Sequence, residues 1–298
     1  MLVLIIRYRV RVQPKINNPH PAKDGVSPMK LKTKRNPLTI AEKTTLKAYR
    51  FTDIPKKGMI QVSALLDSDT LKAFIESIMP VIQTDSPKVA ASVFMKRYAF
   101  IAVLSLYSVT KWNKKLDLQP ENIYFEPPTG KGTWLPKFYF SNMEAEKWDG
   151  GHRNEWFKQV LTELFAGHLF PLIDLLGKVT GVSKLILWEN VAIYVMWLYE
   201  SELEGQTQAN DDFDFIFNKA EGAVFGKYRR NPITKFYSEK TYLDDLDELV
   251  RVRKTCCFSY LTGDRDTRCK TCPCRRLEME GKCANGTDNI CEAARSLT

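Results

Sequence analysis

The chain has 298 residues, of which 44% are hydrophobic and 11% aromatic, so it can bury a substantial core in one large domain or two modest ones. Its net charge is +9, yet residues 1–57 hold 14 basic and 3 acidic residues, and the remainder balances at −2. The aromatic content argues against wholesale disorder, and the charge distribution argues against a nucleic-acid partner for the folded part.

Residues 1–40 are predicted to form a basic, irregular leader, and Met29 is an alternative start. The apolar run at the N-terminus spans only about six residues and precedes its positive charges, which is unlike a signal peptide. No run of roughly 18 apolar residues occurs, so the sequence predicts no transmembrane helix. We therefore expect a cytoplasmic protein.

Residues 41–150 are expected to form an N-terminal α+β part. Its elements begin with an extended stretch over 52–62 and a helix over 68–83 with Ser68 as its N-cap.

The next predicted helix, SPKVAASVFMKRYAFIAVLSLYSV, begins with Ser86 as its cap and Pro87 in its first turn. It is apolar around most of its circumference, which indicates a central position in the core. Lys96 and Arg97 interrupt it. Their side chains either reach solvent along their stems or line a ligand site.

Two short β-like runs, NIYFEP and TWLPKFYF, flank a turn and predict an antiparallel hairpin. The intervening PTGKGTW lacks the spacing and the following helix of a phosphate-binding loop. No G-x-G-x-x-G occurs either, so nothing indicates a nicotinamide or flavin site.

Residues 151–250 are expected to be helical, with long helices over 153–177 and 183–204 and a shorter one over 213–226. In the second helix the apolar residues at helical spacing predict a core-facing stripe formed by Trp188, Val191, Val195 and Leu198.

The sequence offers little for acid–base or nucleophilic catalysis. His20, His152 and His168 show no ligand spacing, and no G-x-S-x-G nucleophile elbow is present. A cysteine–histidine mechanism also lacks support, because every cysteine lies beyond residue 255.

The seven cysteines are all in the last 43 residues, which indicates metal binding or redox chemistry in a reducing compartment. The adjacent pair Cys256–Cys257 is followed by eleven residues and then by Cys269-x-x-Cys272. Structural zinc sites usually have two spaced arms, so a pair without a spacer favours iron–sulfur over zinc. Zinc, thiol redox chemistry and disulfides remain alternatives.

This Cys-Cys…Cys-x-x-Cys ending resembles the ferric siderophore reductases of the FhuF-like family. SVFMKRYAFIAVLSLYS, ILWENVAIYVMWLYE and FGKYRRNPITKFY are similar to its Gram-positive branch, so the resemblance covers roughly residues 40–274. The predicted elements together indicate a predominantly helical α+β fold with a small antiparallel hairpin. The resemblance implies an iron–sulfur segment over residues 251–276, and residues 277–298 are expected to form a flexible tail outside the part that resembles the family.

Carried over residue by residue, the resemblance assigns a [2Fe–2S] cluster to Cys256, Cys257, Cys269 and Cys272. The usual spacer has ten residues and this one has eleven. Cys274 is a further departure that offers a nearby competing thiolate. Free or incidental thiols are expected in the tail, at Cys283 and Cys291.

The implied activity is release of iron from a ferric siderophore or ferric citrate by one-electron outer-sphere transfer. The basic excess between residues 251 and 276, with eight basic and two acidic residues, is expected to raise the cluster potential and to attract anionic chelates. The candidate substrate contacts are Arg97, Trp188, Lys227, Arg229 and Arg230.

A separate electron donor, either a protein or a small reductant, is expected because no nucleotide motif is present. Peripheral association with an iron-uptake transporter is also expected. Two other functions remain open. One is a four-cysteine zinc site that stabilises a basic binding module, and the other is a siderophore-binding or assembly protein that does not reduce iron.

Overall fold

The computed structural model describes residues 35–130, 134–263 and 268–275. Helices and helical turns make up about half of the residues that the structure describes and strands are short, which confirms the predominantly helical α+β class. The helices are α1 (Ile40–Lys47), α2 (Ser68–Ile82), α3 (Pro87–Tyr98), α4 (Phe100–Trp112), α5 (Arg153–Thr162), α6 (Phe170–Thr180), α7 (Lys184–Trp197) and α8 (Ala209–Asp214).

The starts of three helices are fixed by side chains that accept hydrogen bonds from otherwise unpaired backbone N–H groups. The α1 helix has a reciprocal capping box between Thr39 and Glu42. Ser183 caps α7 as predicted. The prediction for α2 is wrong by one residue, because the backbone N–H of Thr70 donates to Asp67, and Ser68 is already inside the helix.

The predicted central helix is two helices, α3 and α4, which meet at Ala99. Every residue of α4 from 100 to 110 is buried, so the lack of an amphipathic stripe reflects contact with protein on all sides. The α4 helix packs against α7, whose predicted apolar stripe is also buried in the core.

Two helical stretches are long and apolar enough to span a membrane by length and composition alone. They are Pro87–Trp112, which is 89% buried inside the protein over its apolar window, and Arg153–Thr180, which is 50% buried. The prediction of no transmembrane helix is not contradicted by this finding, because a buried core helix meets the same criteria. Burial in the core accounts for the apolar character of the first stretch without a membrane.

Short antiparallel strands form three small sheets. The strands are β1 (Arg35–Pro37), β2 (Ile60–Gln61), β3 (Lys114–Lys115), β4 (Ile123–Phe125), β5 (Phe138–Phe140), β6 (Glu144–Lys147), β7 (Thr241–Leu243) and β8 (Glu248–Val250). The sheet orders are β1-β6-β3, β2-β4-β5 and β7-β8. The predicted hairpin is confirmed as β4 and β5, with Ile123 opposite Phe140 and Phe125 opposite Phe138.

The helix predicted over 213–226 differs from the observed structure. The α8 helix begins earlier, at Ala209, and continues as a wider turn over Phe215–Lys219. Ala220 then adopts an extended conformation, and a separate short turn covers Gly222–Phe225.

His168 is buried between α3 and the residues that follow β3, where it has a structural role. Its Nδ1 lies 2.7 Å from the carbonyl oxygen of Leu118, which can only accept, so this nitrogen carries the proton. Its Nε2 therefore accepts from the hydroxyl of Tyr98 at 2.6 Å. Burial lowers the pKa of His168 to about 4, so the ring is neutral near pH 7.

All described residues belong to one compact unit. The division into parts at 41–150, 151–250 and 251–276 stays a prediction from the sequence. The predicted leader over 1–40 lies mostly outside the described residues. The tail, with Cys283 and Cys291, lies wholly outside them.

Candidate metal centre

The cysteine-bearing segment follows β8 and crosses the faces of α3 and α7. Its first arm holds the adjacent pair Cys256 and Cys257, both buried, and leads into a short turn over Ser259–Leu261. Its second arm begins at Arg268, and the amide of Cys272 donates to the carbonyl oxygen of Cys269 to form a turn. The two arms are joined where the amide of Arg253 donates to the carbonyl oxygen of Thr271 at 2.9 Å.

Five thiols converge between these arms, and none of them forms a disulfide. The Sγ atoms of Cys256, Cys272 and Cys274 all lie within 4.8 Å of one another, and all three residues are buried. Cys257 and Cys269 are outside this group, although the Cys269 thiol is close enough to raise the pKa of Cys257. Of the four predicted ligands, Cys256 and Cys272 therefore lie in one close group, which also includes Cys274.

The spacing of these sulfurs suits metal coordination. Two thiolates bound to one tetrahedral metal ion at about 2.3 Å lie about 3.8 Å apart. The Sγ atoms of Cys256 and Cys272 are 3.8 Å apart. Thiolate sulfur is also the donor that iron–sulfur clusters and zinc prefer, so the donor set fits either group.

The thiols perturb one another electrostatically. A hydrogen bond with Cys269, together with burial, raises the pKa of Cys257 to about 11. Cys256 raises the pKa of Cys272, but hydrogen bonds from Cys269 and Cys274 outweigh it and leave that pKa below its usual value. Because thiolates are the ligands, metal binding here would release protons.

Glu189 on α7 fixes the backbone immediately before the cysteine pair. Its carboxylate accepts from the amide of Lys254 at 2.6 Å and from the amide of Thr255 at 2.8 Å. It also accepts from the Thr255 hydroxyl and lies 3.5 Å from the guanidinium of Arg253. Both charged side chains are only 2% exposed.

A second buried connection joins the cysteine pair to α3 and α7. The hydroxyl of Ser92 donates to the carbonyl oxygen of Cys257 at 2.9 Å. The amide group of Asn190 donates to Ser92, and its oxygen accepts from Arg253 at 2.7 Å. Two helices thus position the first arm through buried hydrogen bonds.

Two N–H groups of Arg253 have no acceptor in the part of the chain that the structure describes. Its Nε and Nη1 are buried and have no hydrogen-bond partner among the described residues. Its charge acts on Cys257, where it pulls the thiol pKa down. Because buried donors without acceptors are costly, these two N–H groups fit an anionic metal–thiolate centre near them.

Lys96 places a second positive charge at the same cysteine. Its Nζ lies 3.6 Å from the Sγ of Cys257 and 3.5 Å from the hydroxyl of Ser259. Of the two cations that interrupt the predicted central helix, Lys96 thus contacts the thiols. The guanidinium of Arg97 instead lies 5.5 Å from the ring of Trp134.

Three other basic residues of the segment are paired with carboxylates from elsewhere in the chain. Arg251 forms two hydrogen bonds with Glu200, at 2.8 and 3.0 Å. The second arm carries two further ion pairs, Lys270–Glu248 and Arg275–Asp245. The local basic excess counted in the sequence is therefore partly neutralised.

The remaining candidate substrate contacts are divided between surface and core. Lys227, Arg229 and Arg230 are exposed, and none forms an ion pair with another described residue. Trp188 is 1% exposed and its indole N–H donates to Tyr228 at 2.8 Å. A substrate would reach this indole only if the core around it opened.

A cavity of about 430 Å³ lies against the cysteine segment. Its walls are mostly apolar, and Thr271, from the second arm, forms part of them. The side chains that line it include Phe100, Ile193, Tyr194, Trp197, Phe236 and Val250, with Glu189, Glu200, Lys240, Arg251 and Arg253 as the charged residues. This cavity was not predictable from the sequence, because its walls come from distant parts of the chain.

The match with known proteins covers the helices that contact the cysteine segment. No curated protein is similar enough to count as a relative. The family model described as ferric iron reductase FhuF-like transporter matches residues 92–244. This match includes Lys96 and Glu189, but it ends before Cys256 and is narrower than the resemblance over residues 40–274. Because it covers just over half of the chain, the protein belongs to the FhuF-like ferric iron reductase family.

Proposed function

We propose that the protein reduces a ferric siderophore or ferric citrate by outer-sphere transfer of one electron. In this proposal Cys256, Cys257, Cys269 and Cys272 hold a [2Fe–2S] cluster. The observation that carries the proposal is the convergence of buried thiols beside a cavity in a member of a ferric iron reductase family.

Reduction is an effective way to release iron from such chelates. Fe(III) is held by hard oxygen ligands, and the softer Fe(II) is bound far less well by the same oxygens. A bound [2Fe–2S] cluster supplies the single electron that this change requires. Because no proton moves in that transfer, the chain needs no general acid or base.

The chain's own residues hold and tune the site. Glu189, Ser92 and Asn190 fix the first arm, so the thiols are positioned before any metal binds. The charges of Lys96 and Arg253 favour the more negative, reduced state and therefore raise the potential.

The cavity beside Thr271 is the proposed position of the chelate. Its size lies within the range of small-molecule sites, and it lies next to the arm that carries Cys269 and Cys272. The exposed Lys227, Arg229 and Arg230 are proposed to attract anionic chelates toward the protein. Arg97 remains a proposed contact, with Trp134 as its present neighbour.

The remaining parts of the proposal concern partners and location. We propose a cytoplasmic protein that receives electrons from a separate donor protein or small reductant. Peripheral association with an iron-uptake transporter would bring the ferric chelate to it.

The test begins with the purified full-length chain. Iron and acid-labile sulfide in equal amounts, with a rhombic EPR signal on reduction, are expected. The reduced protein is then mixed with ferric hydroxamate, citrate and catecholate complexes, and re-oxidation is followed in the visible spectrum. At least one complex should re-oxidise the cluster stoichiometrically.

Two results would refute the proposal and identify its alternatives. A colourless protein that contains zinc would indicate a zinc-stabilised binding module. A loaded protein that binds a ferric complex without re-oxidation would indicate a binding or assembly protein that does not reduce iron.

A further inference from the structure

The position of Cys274 is unexpected for a residue outside the predicted ligand set. Its side chain is 2% exposed, less than that of Cys272 at 4%, whereas Cys269 is only half-buried. It is also one of the three thiols whose sulfurs lie within 4.8 Å of one another, together with Cys256 and Cys272.

The five thiols fall into two groups. Cys256, Cys272 and Cys274 form one group, whose sulfurs lie within 4.8 Å of one another. Cys257 and Cys269 lie outside that group and form the other. A binuclear cluster takes four thiolates, two on each iron. The group of Cys257 and Cys269 would therefore supply two ligands. The group of Cys256, Cys272 and Cys274 offers three thiols for the two remaining ligand positions.

Local geometry explains how Cys274 reaches the site. The amide of Cys272 donates to Cys269, and the amide of Arg275 donates to the carbonyl oxygen of Cys272. These bonds wind residues 269–275 into consecutive turns. Cys272 and Cys274, separated only by Pro273, then present their sulfurs to the same point.

We propose that Cys274 is a cluster ligand that is interchangeable with Cys272. Binding releases the proton of the Cys274 thiol to solvent, and the displaced Cys272 thiolate takes up a proton, so the charge of the site is unchanged. This inference rests on the proposed function, because it concerns the same cluster.

The test compares the full-length wild type with Cys272→Ala, Cys274→Ala and the double variant. Alanine offers no donor atom, so it cannot replace a ligand as serine could. Both single variants are expected to retain iron and sulfide, and Cys272→Ala should have a shifted visible circular dichroism spectrum. The double variant is expected to lose the cluster.

The control is Cys269→Ala, which removes a thiol from the other group. It should lose the cluster although Cys274 is intact, because Cys274 lies with Cys256 and Cys272. The inference is overturned if wild type is loaded but Cys272→Ala is as empty as the double variant. If the double variant fails to fold, its helical circular dichroism signal is lost. Cys272→Ala alone then still tests the inference, since only Cys274 could keep the cluster bound in that variant. A wild type without iron or sulfide would instead refute the proposed function.

Discussion

Replacement of Glu189 by glutamine is the most demanding test of how the cysteine segment is held. The change keeps the size of the side chain and removes its charge. One carboxylate oxygen becomes an NH₂ group, which would face either the amide of Lys254 or the donors of Thr255 and cannot accept from them. Arg253 also loses its carboxylate partner at 3.5 Å.

The expected cost follows from burial. One buried donor left without an acceptor costs about 1–3 kcal/mol, and loss of one partner of a buried ion pair costs about 3–5 kcal/mol. These penalties overlap because the same carboxylate is involved, so we expect a total of about 3–5 kcal/mol. That is a large fraction of the stability of an ordinary domain, which is about 5–15 kcal/mol.

The assay is urea unfolding of Glu189→Gln and wild type, followed by circular dichroism, together with iron content. The matched control is Glu221→Gln, which removes a carboxylate from the exposed pair with Lys158 and should change little. A loss below about 1 kcal/mol for Glu189→Gln, with iron content unchanged, would refute the view that this carboxylate holds the segment.

Three further outcomes are expected. Between pH 6.5 and about 4 the unfolded chain protonates His168, whereas the folded protein keeps it neutral. As pH falls through this range, His168 should therefore lower the free energy of unfolding by up to about 3 kcal/mol. An NMR signal from His168 that shows a charged ring at pH 6 in the folded protein would contradict this. Lys96→Met removes a cation 3.6 Å from Cys257 and should shift the cluster potential to a more negative value in a dye-mediated redox titration, whereas an unchanged potential would exclude the tuning role. Ile193→Trp should fill the cavity and slow re-oxidation by ferric chelates without loss of iron, whereas Leu185→Trp, on the exposed side of the same helix, should not; equal rates for the two variants would place the chelate elsewhere.

The elements with strong local signals were predictable from the sequence. The capping serine of α7, the apolar stripe around Val191 and the hairpin of β4 and β5 all follow from residue types at fixed spacing. The start of α2 was off by one residue because Asp67 and Ser68 are both good N-caps, and only the backbone geometry decides between them.

The surroundings of the site were not predictable in this way. Glu189 and Ser92 sit in apolar helices as isolated polar residues, and nothing local shows that they meet a segment about 65 to 165 positions away in the chain. The choice of Arg97 over Lys96 had the same origin, since neighbours on a helix point about 100° apart and the sequence does not say which one faces the thiols.

The two arms of the cysteine segment are held by different forces, and this has a consequence for how metal is gained and lost. The first arm is attached to α3 and α7 through buried groups that salt cannot screen. The second arm relies more on ion pairs near the surface, Lys270–Glu248 and Arg275–Asp245, which salt weakens. The first arm should therefore stay in place while the second moves more easily. The rate of metal release should be set by the second arm, which higher ionic strength loosens.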